Sequence, residues 1–461
     1  MNISDIGPDE VAATPDPARA LAGRIEDRTA TVGVIGMGYV GLPLALAFAE
    51  GGYRVIGFDV DRSKVERLSR GESYIAHFEA ERIAREVETG RLSATVDFAR
   101  LAEADAVLVC VPTPLTAHRE PDMSYVDATA EQIRDALRPG QLVVLESTTY
   151  PGTTDERVRE RLEESGLVAG RDFWLAFSPE REDPGNPRWS TSTIPKVVGG
   201  VDATSGDLAA ALYGAVLEAP IVRVSSARVA EAAKLTENVF RAVNIALVNE
   251  LKTIYDAMGI DVWEVLDAAA TKPFGFMRFD PGPGWGGHCI PIDPFYLAWK
   301  AREHGVTARF IELAGQTNVR TVEYVIERLT RALNERAKPV RGSRVLVLGL
   351  AYKRDVADPR ESPAFELIHG LLGLGADVSY HDPHIPVAPR MRSWPDLEPM
   401  ASQPLTAETL AGSDAVLIVT DHTDIDYRLV LEHAPLVIDT RGVCRRLDLD
   451  PGARRAEVVP A

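Results

Sequence analysis

The chain has 461 residues, of which 45% are hydrophobic and 26% are charged. At roughly 150 residues per domain, this length predicts about three domains, and the composition excludes wholesale disorder. The 50 Lys and Arg residues against 68 Asp and Glu residues give a formal net charge of −18. Such a charge argues against nucleic acid or anionic lipid as a partner, whereas an anionic small molecule needs only a local basic pocket.

No apolar run reaches the ~20 residues of a membrane span, and the N-terminus is rich in Asp, Glu and Pro rather than basic and then apolar. We therefore expect a cytoplasmic protein without a membrane partner, in which residues 1–28 form a mobile tail. The three cysteines, Cys110, Cys289 and Cys444, have neither metal-ligand spacing nor a disulfide framework, so we predict no metal site.

The first predicted domain covers residues 29–222. Its apolar segments alternate between strand and helix patterns, and the first helix follows a glycine-rich turn. Such alternation is typical of a parallel, doubly wound sheet. The predicted elements are strands at Thr31–Ile35, Arg54–Phe58, Ala106–Val111 and Leu142–Leu145 and a helix at Leu42–Glu50.

A helical stretch over residues 223–338 and a second α/β region over residues 339–461 follow. The central stretch predicts helices at Val229–Met258, Asp261–Ala270, Pro294–His304 and Phe310–Lys338. The last region predicts strands at Val345–Leu348, Asp377–Tyr380, Ala415–Thr420 and Leu436–Asp439 and a helix at Ala364–Leu374. The predicted fold class is therefore α/β, with two Rossmann-like doubly wound domains joined by a central all-helical domain. The long helices also suggest a dimer interface.

The turn after the first strand carries Gly36, Gly38 and Gly41. This spacing allows a tight turn, close approach of a pyrophosphate and close packing of the helix on the sheet. Asp59 follows Gly38 by 21 residues, at the end of the second strand, where a carboxylate binds the ribose hydroxyls and repels a 2′-phosphate. The turn therefore predicts NAD rather than NADP as cofactor, and the nearby cations Arg62 and Lys64 slightly weaken that preference.

A second glycine-rich loop, at residues 281–287, leads to Cys289, and Asp293 follows four residues later. Glycines let a backbone approach a ligand closely, and a cysteine thiolate is a strong nucleophile. An inert, buried cysteine is the alternative interpretation; Cys110 and Cys444, which lack such a loop, are assigned to packing.

Lys234 and Asn238 lie four residues apart on the longest predicted helix. A Lys and an Asn on one helix face could stabilise a developing oxyanion, but on spacing alone a solvated helix face is the favoured interpretation. Glu180 is similarly either a general base or one of several charges in a loop.

Taken together, these motifs resemble the UDP-glucose/GDP-mannose dehydrogenase family from about Thr31 to Arg441. Several separate segments in the family's order carry the resemblance. They are the Gly36–Gly41 turn with Leu42-Pro43, Val111–Pro114, Ser147-Thr148 with Pro151–Thr154, Ser178–Glu180, Lys234 with Asn238, Gly286–Cys289 with Asp293, and Gly349–Lys353 followed by Asp358 and Arg360–Ser362.

The resemblance implies an NAD-binding N-terminal domain, a helical domain that forms a homodimer and a C-terminal domain that helps to bind a UDP-sugar. It implies oxidation of the sugar C6 alcohol to a carboxylate by two hydride transfers, with a Cys289 thiohemiacetal and thioester. The implied catalytic residues are Cys289, Lys234, Asn238, Asp293, Glu180 and Thr113. The implied NAD-binding residues are Gly36, Gly38, Tyr39, Val40, Gly41, Asp59, Arg62, Thr113, Thr148 and Arg360. The implied substrate-binding residues are Glu180, Arg181, Lys234, Asn238, Phe276, Arg278, Gly286, Lys353 and Arg441.

Within the family, the local sequence is most similar to the branch that oxidises UDP-N-acetylglucosamine. This similarity rests on the segments 178–186, 236–244 and 272–276. Arg278-Phe279-Asp280 and Trp285 depart from that branch, so UDP-N-acetylmannosamine and UDP-glucose stay open as substrates.

Two other functions also stay open. A two-electron enzyme similar to the 3-hydroxyacid or 6-phosphogluconate dehydrogenases would share the first domain, but it would not need Cys289 or a second α/β domain. A catalytically silent NAD-binding regulatory protein would not need Lys234, Asn238, Cys289 and Asp293 together.

Overall fold

A computed structural model of the protein describes residues 16–75, 79–116, 118–181, 192–287, 290–391, 393–447 and 455–461. The described residues divide into two compact units. The first unit extends to Lys234, except for residues 114–121, and the second contains residues 114–121 and 235–461.

The first unit is built on an eight-stranded sheet. Its strands are β1 Thr31–Ile35, β2 Arg54–Phe58, β3 Leu92–Thr95, β4 Ala106–Val109, β5 Leu142–Leu145, β6 Trp174–Phe177, β7 Lys196–Gly200 and β8 Ile221–Arg223. They are ordered β3-β2-β1-β4-β5-β6-β7-β8, and every pair is parallel except β6 with β7. The central strands are completely buried and apolar, as expected of a parallel sheet that is covered on both faces.

The described residues of the first unit form seven α-helices: α1 Pro17–Glu26, α2 Gly41–Glu50, α3 Arg62–Ser69, α4 Ala80–Glu88, α5 Ser124–Ala136, α6 Arg159–Glu163 and α7 Ala203–Gly214. Helix α2 connects β1 to β2, and eight of its ten residues are buried. It begins directly at the glycine turn, so that its N-terminus lies at the carboxyl end of β1. This edge of the sheet is where a doubly wound fold binds a dinucleotide.

Helix α1 corrects the prediction of a mobile tail over residues 1–28. Its Leu21 and Ile25 side chains are buried in the core of the first unit, and the Asp16 side chain accepts a hydrogen bond from the first turn. Asp16 and Pro17, two of the residues that suggested a tail, act here as the N-cap and as the first helical residue. Residues 1–15 lie outside the described part of the chain.

The second unit contains most of the central helices. Helix α8, Ala227–Ala257, begins in the first unit and continues into the second, and it is followed by α9 Val262–Ala270, α10 Asp293–Glu303 and α11 Arg309–Glu335. These helices match the predicted ones to within three residues at each end. None of the helices in the described ranges combines the length and the hydropathy that crossing a bilayer requires.

A second, five-stranded sheet completes this unit. Its strands are β9 Arg344–Leu348, β10 Asp377–His381, β11 Ala415–Ile418, β12 Leu436–Asp439 and β13 Glu457–Pro460, and its helices are α12 Pro363–Gly373, α13 Ala407–Gly412 and α14 Tyr427–His433. All strands are parallel, in the order β10-β9-β11-β12-β13. The predicted fold class, two Rossmann-like parts with a helical region between them, is confirmed.

Candidate active site

The three glycines of the first turn have different structural roles. Gly36 has a φ of +89°, and a Cβ there would lie 2.5 Å from the Cys110 carbonyl oxygen. A Cβ on Gly41 would lie 2.0 Å from the Gly36 carbonyl oxygen, so both positions need glycine for the fold itself. A Cβ on Gly38 would meet nothing within 4 Å. Gly38 therefore borders open space at the start of α2, which fits a bound pyrophosphate.

Asp59 lies at the end of β2 and is only 6% exposed. Its carboxylate accepts hydrogen bonds from the Met37 and Asp61 N–H groups at 3.0 and 2.9 Å, and Lys64 Nζ lies 3.2 Å away. A carboxylate offers about four lone-pair sites, so it can still accept a ribose hydroxyl. The acid fits NAD, and Lys64 offsets part of its repulsion of a 2′-phosphate. The flanking Tyr39 and Arg62 are exposed and Val40 is half-buried.

A buried acid that the sequence analysis missed supports the loop after β5. Glu231 of α8 accepts hydrogen bonds from the Gly152 and Thr154 N–H groups and the Thr154 hydroxyl, at 2.7, 2.9 and 2.6 Å. Burial raises the pKa of Glu231 to about 7, against the opposing effect of these donors. The same loop begins with Ser147, whose hydroxyl donates to the Val111 carbonyl at 2.8 Å. Thr148, which follows Ser147, and Thr113, two residues after Val111, are both half-buried.

Lys234 and Glu180 are brought together in the first unit. Lys234 is 5% exposed; its Nζ donates to the Glu180 carbonyl oxygen and lies 3.5 Å from the Glu180 carboxylate. The alternative of a solvated helix face is therefore wrong for Lys234. Arg181 is held through its Nη1, which donates to the Pro195 carbonyl at 2.7 Å.

A cleft in the first unit is lined both by Glu180 and by a residue of the dinucleotide turn. Its lining residues are Val40, Leu44, Glu146, Glu180, Arg181, Ile194, Pro195 and Lys196. Val40 belongs to the glycine turn, whereas Glu180 contacts Lys234. One cleft of the first unit is thus bordered both by the predicted cofactor turn and by a predicted acid–base residue.

Asn238 and Asp293 form a second buried pair, in the second unit. The Asn238 amide donates to the carboxylate of Asp293, the first residue of α10, and both residues are nearly inaccessible to solvent. The predicted nucleophile, Cys289, lies outside the described residues. The two remaining cysteines have the packing environments predicted for them, since Cys110 packs against the core of the first unit and Cys444 is buried.

The glycine loop at 281–287 packs tightly within the second unit. A Cβ on Gly286 would lie 3.0 Å from the Glu361 carbonyl oxygen, and one on Gly287 would lie 2.9 Å from the Tyr352 ring. The loop therefore lies against the 352–363 segment that carries Lys353, which is half-buried. In this segment Arg360 forms a bidentate pair with Asp358.

The remaining predicted substrate residues occupy different environments. Phe276 is 39% exposed. Arg278 pairs with Asp267 and Asp280 at 2.6 and 2.9 Å, so carboxylates already compensate its charge. Arg441 is half-buried, and its Nε donates to the Val419 carbonyl at 2.7 Å.

One group of side chains in the described ranges could offer three metal ligands: Asp355, His384 and His422, whose ligand atoms lie within 4.8 Å of one another. However, His422 already uses both ring nitrogens. Nδ1 accepts from the Asp355 N–H at 3.0 Å, and Nε2 lies 3.1 Å from Asp382. Burial alone would raise the pKa of Asp382, but His422 and backbone N–H groups lower it to about 2. His422 therefore connects the segments of Asp355 and Asp382 by hydrogen bonds, which is a structural role.

The comparisons with known proteins agree with these features. Models of the NAD-binding, central and UDP-binding domains of the UDP-glucose/GDP-mannose dehydrogenase family match residues 30–217, 228–320 and 346–446. The chain belongs to this family. It is an oxidoreductase of the nucleotide-sugar dehydrogenase class, and NAD is its cofactor, as the resemblance implied.

Similar proteins differ in the sugar that their names state. A UDP-N-acetyl-D-glucosamine 6-dehydrogenase of Pseudomonas aeruginosa is 35% identical over 394 residues, 85% of this chain and 90% of that protein. A UDP-N-acetyl-D-mannosamine dehydrogenase of Salmonella typhi is 35% identical over 440 residues, 90% of this chain and 99% of that protein. The structure of a UDP-D-ManNAc dehydrogenase from Pyrococcus horikoshii has a TM-score of 0.82 at 30% identity, covering 93% of this chain and 98% of that one.

Proposed function

We propose that this protein oxidises the C6 alcohol of UDP-N-acetylglucosamine to the carboxylate in two successive hydride transfers. The observation that carries the proposal is the burial of Lys234 against Glu180, because an ordinary surface lysine would keep its ammonium in water. An ammonium held next to a carboxylate at the edge of a cleft suits a reaction that forms alkoxide and oxyanion states. The Asn238–Asp293 pair supplies a further amide donor and a carboxylate.

Each of the proposed catalytic residues has its own role in the reaction. NAD, when bound, accepts a hydride in each oxidation. The Cys289 thiolate adds to the intermediate aldehyde, and the resulting thiohemiacetal is oxidised to a thioester that water hydrolyses. Lys234 and Asn238 donate hydrogen bonds to the oxyanions. Asp293 and Thr113 hold the attacking water, and Glu180 transfers protons during hydrolysis.

Further residues would bind the two ligands. Gly36, Gly38, Gly41 and Asp59 would hold NAD, joined by Tyr39, Val40, Arg62, Thr113, Thr148 and Arg360. Glu180, Arg181, Lys234, Asn238, Phe276, Arg278, Gly286, Lys353 and Arg441 would contact the UDP-sugar. Because Arg278 and Arg360 are already paired with carboxylates, a phosphate would have to share them or displace those partners.

The choice of sugar is tested by initial rates of NADH formation with UDP-N-acetylglucosamine, UDP-N-acetylmannosamine and UDP-glucose under saturating NAD. We expect kcat/KM to be at least about tenfold higher for UDP-N-acetylglucosamine, because contacts to its acetamido group are worth about 1–2 kcal/mol. UDP-glucose lacks this group, and the C2 epimer UDP-N-acetylmannosamine directs it to a different position. A higher kcat/KM for UDP-N-acetylmannosamine would make that UDP-sugar the substrate and leave the proposed reaction unchanged. The names of the Salmonella and Pyrococcus relatives make that sugar the second candidate.

We also propose a homodimer that forms through the central helices. Phe240, Leu247 and Ile254 recur every seven residues along α8, and each is 46–48% exposed. Large apolar side chains at this spacing form one continuous stripe on a helix, and such a stripe is typical of a helix-to-helix contact between chains. A cytoplasmic location is likewise proposed, because three scattered cysteines without a disulfide framework suit a reducing compartment.

A further inference from the structure

Both backbone groups of Gly282, the N–H and the carbonyl, form hydrogen bonds with side chains of helix α8. Asn249 Oδ1 accepts a hydrogen bond from the Gly282 N–H at 2.9 Å, and Lys252 Nζ donates to its carbonyl oxygen at 3.0 Å. Asn249 is 1% exposed and Lys252 is 3% exposed. Asn249 is itself oriented by Asn318, which accepts from its amide at 3.0 Å. The start of the glycine loop is therefore fixed by a buried polar network.

Arg441 meets the same glycine. A Cβ on Gly282 would lie 2.6 Å from Arg441 Nη1, so the guanidinium packs directly against the Gly282 α-carbon. Among the described residues, neither Lys252 nor Arg441 has a carboxylate within ion-pair distance. Asp256, the acid on the turn after Lys252, pairs instead with Arg328 and Tyr324. The buried Lys252 and the half-buried Arg441 thus both contact Gly282, and neither forms an ion pair with a carboxylate of the described residues.

Buried charge without a partner is costly, and it favours binding of an ion of opposite sign. We propose that Lys252 is a positioning residue that fixes the loop at Gly282 and, with Arg441, supplies the paired positive charge that attracts the diphosphate of the nucleotide sugar. This inference rests on the proposed function, because it takes the UDP-sugar as the anion. It adds Lys252 to the substrate-binding residues that the family resemblance implies.

The charge arrangement has a measurable consequence. The groups that face Lys252 are Arg441 and Asp439 from the end of β12, Asp256 on its own helix, and Tyr324 and Arg328 on α11. Burial and the repulsion of Arg441 lower the pKa of Lys252 to about 7. A diphosphate bound at this pair favours the charged ammonium and raises its pKa. At pH 8 the enzyme should therefore take up a proton when the UDP-sugar binds.

The test is isothermal titration calorimetry without NAD, at pH 8, in two buffers with different ionisation enthalpies. The probe is whichever of UDP-N-acetylglucosamine, UDP-N-acetylmannosamine and UDP-glucose binds most tightly; its phosphates are diesters and do not titrate near neutral pH. We expect uptake of more than about half a proton per site for the unaltered chain. Lys252→Met should abolish this uptake and weaken binding about tenfold or more at pH 6.5. Lys252→Arg should also abolish it, but it should keep tight binding at both pH values.

Lys338→Met is the matched control, because Lys338 is an exposed lysine of the same unit that pairs with Asp414. It should leave both affinity and proton uptake unchanged. Uptake that persists in Lys252→Met would overturn the inference, as would unchanged affinity in that variant at pH 6.5. If none of the three UDP-sugars binds the unaltered chain, the proposed function itself fails. Thermal melts of each variant distinguish loss of binding from loss of folding.

Discussion

Cys289 carries the chemical step that separates a four-electron oxidation from a simple alcohol oxidation. Replacing it by serine removes the thiolate but keeps nearly the same size. We expect Cys289→Ser to lower steady-state NADH formation by at least about a thousandfold, which is the order of loss on removing a catalytic nucleophile. Stopped-flow absorbance at 340 nm would measure the residual rate.

Cys110→Ser is the control for this change, because Cys110 packs beside the core in the first unit and has no role in the proposed chemistry. Its rate should stay within about twofold of the unaltered enzyme. Full turnover in Cys289→Ser would remove this cysteine from the mechanism.

At the scale of single residues, the sequence predicted most reliably those site residues whose role is set by the backbone of their own turn. Gly36 and Gly41 need glycine for reasons set within one turn, and Asp59 follows at a fixed distance. The partners of Lys234 and Asn238 could not be predicted, because Glu180 and Asp293 are more than 50 residues away in the chain. Glu231, Asn249 and Lys252 were missed for the same reason. The one sequence feature that could have identified them is a polar residue on a helix face whose other residues are apolar.

At the scale of elements, helix α1 offers the sharpest test. Leu21 is completely buried, so Leu21→Ala deletes apolar contacts and leaves a cavity. We expect this substitution to lower the free energy of unfolding of the first unit by about 3 kcal/mol, which denaturant titration followed by tryptophan fluorescence would measure.

Arg19→Ala on the exposed face of the same helix is the control, with an expected change within about 0.5 kcal/mol. If Leu21→Ala behaved like Arg19→Ala, residues 17–26 would be a tail after all, as their composition first suggested.

Elements with a long apolar pattern were predicted well. Strands β1, β2, β5 and β12 have the predicted bounds, because each is a continuous apolar run between turn residues. Strands β3, β6, β7, β8 and β13 were not predicted. Each has three to five residues, and all except the apolar β6 include polar residues, glycine or proline, so that they do not differ from a loop until neighbouring strands pair with them. The antiparallel pairing of β6 with β7 is likewise a tertiary property.

At the scale of the whole molecule, the apolar stripe on α8 makes a prediction about assembly. A glutamate at Leu247, in the middle of the stripe, would place a charge in an apolar contact between two chains. We expect Leu247→Glu to shift the protein from dimer to monomer at micromolar concentration, measured by sedimentation velocity.

Leu372→Glu is the matched control, because Leu372 is a similarly exposed leucine, at 40%, on α12 of the second sheet region. This variant should sediment like the unaltered protein. A Leu247→Glu variant that remained dimeric would move the interface away from α8, and a monomeric unaltered protein would remove the dimer altogether.

The four-electron oxidation proposed for this enzyme is tested most directly by the amount of NADH formed per UDP-sugar. The measurement uses excess NAD and a limiting amount of the best of the three UDP-sugars, and it follows absorbance at 340 nm to completion. We predict two equivalents of NADH for each sugar consumed. One equivalent would show a two-electron alcohol dehydrogenase and would contradict the roles given to Cys289, Asp293 and Glu180.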